Sequence, residues 1–157
     1  MRILTILCQK GGVGKTTFVV NLGKLLSIKG YKTLLIDTDP QGNVSTYLNF
    51  DKNSEEALNT TDLFENKLNK EIMKVSENLY LIPSNKSIAK HSSEKIIGGS
   101  RLIKHKSFFR DMGFELILID TPPTVSSLTQ ESLTLSDYYL IPSKPEFLAV
   151  EGVSQAI

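Results

Sequence analysis

The sequence predicts an α/β fold, a mostly parallel sheet with helices on both faces. Short apolar runs recur at Ile3–Cys8, Thr33–Ile36, Leu79–Ile82, Leu116–Ile119 and Tyr138–Ile141. Near-continuous apolar character is what a strand covered on both faces shows. Helix-like patterns separate the first two runs and the last two. A glycine-rich turn, Gln9-Lys10-Gly11-Gly12-Val13-Gly14-Lys15-Thr16-Thr17, joins the first run to the first helix.

Residues 2–8 read as the first strand. The turn after them has the composition of a loop that cradles phosphate. Glycines let successive backbone N–H groups converge on one anion, and the helix that follows adds its positive dipole end. Lys15 is placed as a point charge for β- and γ-phosphates, and Thr16 as a hydroxyl ligand for Mg²⁺. The standard pattern G-x-x-x-x-G-K-[ST] is met by Gly14-Lys15-Thr16, but Gln9 stands at its first glycine. A helix from Thr16 to about Lys29 is expected to turn Val20, Leu22, Leu25, Leu26 and Ile28 inward, with Gly30 as its C-terminal cap. Lys32 to Asp37 is the second strand, completing a right-handed βαβ unit.

That strand ends in Asp37-Thr38-Asp39-Pro40-Gln41-Gly42-Asn43. Two carboxylates therefore leave the carboxyl end of a strand beside the loop, the edge where open α/β sheets bind ligands. Residues 44–68 are less regular. Ser45–Leu48 suits a short helix, 51–59 a polar loop, and Thr61–Phe64 the start of another helix. Leu79–Ile82 is the third strand, ended by Pro83.

Residues 86–110 carry seven cations, Lys86, Lys90, Lys95, Arg101, Lys104, Lys106 and Arg110, against the single acid Glu94. A solvated helical face, broken near Gly98-Gly99, is the expected explanation, with a local patch for DNA phosphates as the alternative. His91 and His105 lack metal-ligand spacing and are expected on the surface. Phe108 and Phe109 read as anchors to the core.

Phe114 to Asp120 is the fourth strand, an apolar run ending in an acid placed to reach Mg²⁺. Thr121-Pro122-Pro123 follows as a stiff turn. Ser126 to Leu135 suits a helix with Leu128, Leu133 and Leu135 inward. Asp137 to Pro142 is the fifth strand, and Ser143-Lys144-Pro145-Glu146-Phe147 leads toward a further helix.

The chain has 157 residues, 40% hydrophobic and 22% charged, with a formal net charge of +1. Such a balance predicts one globular domain with no global attraction to nucleic acid or membrane. One cysteine, Cys8, rules out an internal disulfide or a cysteine metal cluster and reads as a small buried hydrophobe. No run approaches the ~18 apolar residues of a membrane span, and no signal-peptide pattern precedes the first strand, so a cytoplasmic location is expected.

Three motifs carry a resemblance. K-G-G-V-G-K-T-T at 10–17, D-T-D-P-Q-G-N at 37–43 and I-D-T-P-P at 119–123 resemble the ParA/MinD family of ATPases, on its ParA (Soj-like) side. The departure at Gln9 matches that family's deviant Walker A motif, in which a second lysine, here Lys10, is the signature residue. The resemblance implies the P-loop NTPase fold of that class, with ATP and Mg²⁺ as cofactors. Gly11, Gly12, Val13, Gly14, Lys15, Thr16 and Thr17 would hold the nucleotide. Lys10, Lys15, Asp39 and Asp37 would be catalytic, with Asp39 orienting the attacking water. Thr16, Asp37 and Asp120 would serve the metal. The 121–123 segment would be a nucleotide-sensing switch, and Glu146 would lie near the nucleotide and the dimer interface.

The resemblance further implies an ATP-bound homodimer in which Lys10 reaches the partner's phosphates. That dimer would bind DNA non-specifically, hydrolyse ATP on stimulation by a ParB-type partner, and associate with the nucleoid rather than a membrane. Residues 1–157 would form one nucleotide-binding domain, the N-terminal part of a longer ParA-like ATPase domain. A MinD-like, membrane-associated spatial regulator and a shortened core with little activity are the alternatives. An iron–sulfur electron-transfer protein of this fold needs cluster cysteines, which Cys8 alone does not provide.

Overall fold

The computed structural model describes residues 1–96 and 99–143. Its centre is a six-stranded sheet. In chain order the strands are β1 (Arg2–Ile6), β2 (Thr33–Asp37), β3 (Met73–Lys74), β4 (Leu79–Ile82), β5 (Leu116–Asp120) and β6 (Tyr138–Leu140). Across the sheet they lie in the order β3-β4-β2-β5-β1-β6. All pairings are parallel except β3 with β4. The α/β expectation holds, with one strand more than the five apolar runs announce. β3 was missed because two residues in a Lys- and Glu-rich stretch show no alternation.

The apolar runs divide their side chains between the two faces, as a period of two requires. Ile3, Leu34, Ile36, Ile117 and Ile119 face one core, and Ile6, Leu35 and Leu118 face the other. The second core is covered by α1 (Lys15–Ile28) and α2 (Asn43–Leu48), through Val19, Val20 and Val44. The first is covered by α3 (Thr60–Phe64), α4 (Lys106–Asp111), α5 (Ser127–Leu135) and two 3₁₀ turns at Lys86–His91 and Leu102–His105. Asn59 starts α3 with a reciprocal capping box to Asp62. Phe109 is fully buried and Phe108 packs beside it, as expected.

Three expectations are corrected. α1 does turn Val20 inward, and Leu22 and Leu26 pack at its margin, but Leu25 and Ile28 are 51% and 82% exposed. The buried stripe is Lys15, Val19, Val20, Gly23 and Ser27; at 3.6 residues per turn Leu25 and Ile28 fall on its far side. Both histidines are buried, not on the surface. The His105 ring bonds through Nε2 to the Leu63 carbonyl at 2.8 Å, and His91 stacks on Phe64 while its Nδ1 meets Glu94 at 2.8 Å. Each ring has one nitrogen with a polar partner, while His91 Nε2 is buried without a hydrogen bond, 3.9 Å from Glu65 Oε1.

The basic stretch is also less basic in space than in sequence. Lys90 pairs with Glu65, Arg101 with Glu94 and Glu131, and Lys106 with Asp137. Three of these acids lie outside 86–110, so a local charge count could not include them. Residues 97–98 and 144–157, including Gly98 of the expected helix break, Glu146 and the further helix, lie outside the described residues.

Candidate functional site

β2 and β5 are neighbours in register, with Asp37 opposite Asp120, and Ile6 at the end of β1 also meets Asp120. The carboxyl edge therefore gathers the glycine loop, the Asp37–Asn43 segment and the Thr121–Pro123 turn into one place. A cleft of about 390 Å³ opens there. The loop contributes Gly11, Gly12, Gly14, Lys15, Thr16 and Thr17. Asp39, Gln41, Asn43, Tyr47 and Pro123 form the opposite wall.

The loop's shape depends on Gly14, which has φ +92° at the start of α1 and so a conformation that L side chains rarely adopt. Lys15 is 8% exposed, and its ammonium donates to the Cys8 carbonyl at 3.2 Å. Cys8 itself is buried, as read from the sequence. The Thr16 hydroxyl donates to Asp120 Oδ2 at 2.6 Å, bringing together residues 104 positions apart. Val13 lies in an apolar groove with Phe18, Leu22 and Leu25 rather than in the cleft lining. Lys10 is half-buried and is also outside that lining.

The two acids of 37–43 occupy different positions. Asp39 lines the cleft, and its Oδ1 accepts from the Gln41 N–H at 2.9 Å. Asp37 is wholly buried behind it, with Oδ1 accepting from the Asp39 N–H and Oδ2 from the Val44 N–H. Asp37 thus joins the turn that presents Asp39 to the first turn of α2. Gly42 permits the close passage of this segment, since a Cβ there would stand 2.4 Å from the Ser84 carbonyl oxygen.

Electrostatically the edge is short of positive charge. Burial first, then the neighbouring Asp120, hold the Asp37 carboxyl well above the ordinary range, against the pull of its two backbone N–H donors. Burial pushes Asp120 up to about 6, opposed by the Thr16 hydrogen bond and the Lys15 charge. Asp120 Oδ1 is buried with no hydrogen-bond partner. A threonine hydroxyl on a buried carboxylate with an unused oxygen fits a hard divalent cation such as Mg²⁺. Among the described residues no group of three or more His, Cys, Asp or Glu could hold a metal alone. Mg²⁺ suits such a sparse set, because it keeps waters and takes its remaining ligands from phosphates.

Gln41, Asn43 and Pro123 lie within the motifs quoted from the sequence, although none was singled out there. Tyr47 had no signal beyond a short helical pattern.

The comparisons agree with this geometry. A family model described as an AAA domain, AAA_31, matches residues 1–157. The sporulation initiation inhibitor protein Soj of Bacillus subtilis is 38% identical over 160 residues, covering 99% of this chain and 63% of that protein. The chromosome partitioning protein ParA of Myxococcus xanthus is 33% identical over 158 residues, covering 98% and 56%. The chain thus spans roughly three fifths of the length of these relatives. Among solved structures, a plasmid partition protein from Borrelia burgdorferi B31 bound to AMPPNP superposes with a TM-score of 0.82 at 31% identity, over 99% of this chain and 68% of that one. A cobyrinic acid a,c-diamide synthase from Mycobacterium smegmatis, with bound ADP and magnesium, reaches 0.85 at 29% identity, over 99% and 65%. The deviant loop, the registered acids of β2 and β5 and these matches together show that the chain belongs to the AAA_31 family of AAA domains, among the ParA/Soj-type deviant Walker A ATPases.

Proposed function

We propose that this chain is the nucleotide-binding part of a ParA/Soj-type partition ATPase that binds ATP with Mg²⁺ and hydrolyses it. The observation that carries the reading is the Thr16–Asp120 hydrogen bond at the carboxyl edge of the sheet. It couples a phosphate-loop hydroxyl to the acid ending β5, beside Lys15 and Asp39. Backbone N–H groups of Gly11 to Thr17 cradle the phosphates, and Lys15 leaves the Cys8 carbonyl for the β- and γ-phosphates. Thr16 and Asp120, supported by the buried Asp37 beside them, would hold Mg²⁺, which would supply charge neutralisation at the phosphate oxygens. Asp39 orients the attacking water from the opposite wall, and Asp37 positions Asp39. Phosphoryl transfer needs little more than this placement and charge.

In the same reading the ATP state is a homodimer in which Lys10 reaches the partner's phosphates and acts as an arginine finger does. The dimer binds DNA without sequence preference in the cytoplasm, on the nucleoid. A ParB-type partner then stimulates hydrolysis and release. The ParA and Soj relatives, named for chromosome partitioning and the inhibition of sporulation, support this over the membrane-associated alternative.

The test uses Asp39→Ala, which is expected to bind ATP and stop turning over. Random-sequence duplex DNA is titrated with no nucleotide, with ADP and with ATP, across a salt series. Binding in ATP alone, falling steeply with salt, is expected. Normal hydrolysis by Asp39→Ala would remove Asp39 from its assigned role, and nucleotide-independent DNA binding would sink the switch.

A further inference from the structure

We propose that Tyr47 is a further anion-contacting residue of the cleft, its phenol acting with the Thr17 hydroxyl as a pair of O–H donors to one phosphate oxygen; this rests on the nucleotide reading above. Tyr47 lines the cleft opposite the glycine loop. Its hydroxyl lies 3.1 Å from Thr17 Oγ1, and either atom is able to donate. Two hydroxyls at that spacing, on the wall of a cleft that also holds the Lys15 ammonium, are able to rotate both protons toward an oxygen between them.

The placement is not explained by packing. The Tyr47 ring is 54% exposed, so it contributes little to the core beneath α2. Yet the helix that carries it is firmly held. Val44 and Ser45 are buried, the Val44 N–H donates to Asp37 Oδ2, and Gly42 passes directly over Ser84. The Lys52 ammonium also donates to the Gln41 carbonyl at 2.6 Å. A pinned backbone thus presents a large, mostly exposed ring whose one polar atom meets the phosphate loop. The same Asp37 that positions Asp39 holds the first turn of the helix carrying Tyr47, so two residues of the wall facing the glycine loop are set from one buried carboxylate.

Tyr47→Phe keeps the ring and removes only the hydroxyl. Calorimetric titration of the whole chain with Mg·ATP is expected to show about tenfold weaker binding, the loss of one hydrogen bond to a charged group. Magnesium tripolyphosphate, which lacks ribose and base, should lose affinity by the same factor. Combining Tyr47→Phe with Thr17→Ala should cost less than the two separate losses together, because both donors serve one oxygen. Thermal melting of Tyr47→Phe without ligand should be unchanged, which a purely structural role would not predict. Unaltered ATP affinity in Tyr47→Phe, with Lys15→Ala abolishing binding, would overturn the proposal and leave the nucleotide reading intact. A loss for ATP but not for tripolyphosphate would overturn the phosphate contact. Normal ATP binding by Lys15→Ala would remove the reading on which the proposal stands.

Discussion

The cleft and the inner side of α5 both bury carboxylates, under opposite conditions. Asp37 and Asp120 sit side by side at the sheet edge, held above the ordinary carboxylate range, and Asp120 keeps one oxygen without a partner. Glu131 on α5 is equally buried but accepts four hydrogen bonds, from Ser100 Oγ, the Arg101 and Leu102 N–H groups and Arg101 Nε. Burial alone would raise its pKa, yet these donors outweigh burial and hold it below the usual range. Arg101 extends the node, lying over the Phe64 ring at 4.7 Å and pairing with Glu94. The difference separates roles. A satisfied buried charge fastens the 3₁₀ turn at Leu102–His105 to α5, whereas the Asp37–Asp120 pair carries a cost that a cation, on the function proposed above, would relieve.

Four expected outcomes sharpen that contrast, from the largest effect down. Glu131→Ala should lower the unfolding free energy by about 3–4 kcal/mol in urea titration, since it removes one of the two acids paired with Arg101 and leaves the Ser100 hydroxyl and the Arg101 and Leu102 N–H groups without their acceptor. A loss under about 1 kcal/mol would show the node to be dispensable. Lys15→Ala should weaken ATP binding at least a hundredfold, roughly 2.7 kcal/mol by calorimetry, while leaving unfolding nearly unchanged. Asp120→Asn should move in the other direction. An acid held at about 6 against an ordinary 3.8 carries a penalty on the order of 3 kcal/mol once ionised. Because the folded pKa is the higher one, that penalty grows as pH rises from about 4 to 6 and persists above. The neutral variant should therefore be about 2 kcal/mol more stable at pH 7.5 without ligand, yet lose the benefit of Mg²⁺ in ATP binding. A destabilised Asp120→Asn would mean that the Thr16 bond matters more than the frustration.

The smallest effect is the pH dependence at Glu131→Gln. Glu131 has a lowered folded pKa, so its stabilisation is present above the unfolded value near 4.5 and fades as pH falls through the folded value. The gap between wild type and Glu131→Gln, about 1–2 kcal/mol at pH 7, should close in acid. A constant gap down to pH 3 would locate the effect in packing rather than charge.

Much of the site was legible because phosphate chemistry is written locally. The loop from Lys10 to Thr17 and the acids at 37, 39 and 120 each stand at a strand end, and apolar runs mark strand ends clearly. The division between Asp39, for the water, and Asp37, for the metal, came from the resemblance and not from the spacing, since both are acids in one turn. Only the path of 37–44 turns one toward backbone N–H groups and the other toward the cleft.

The five parallel strands, the phosphate loop and the burial of Cys8 and Phe109 were determined by short-range pattern, because a strand's neighbours along the chain report which faces are covered. Tyr47 beside Thr17, His91 on Phe64 and the pairing of Lys90, Arg101 and Lys106 with distant acids were decided only by the fold. Those contacts join residues 25 to 31 positions apart in the chain. Their energies depend on distance and burial, which sequence spacing does not encode.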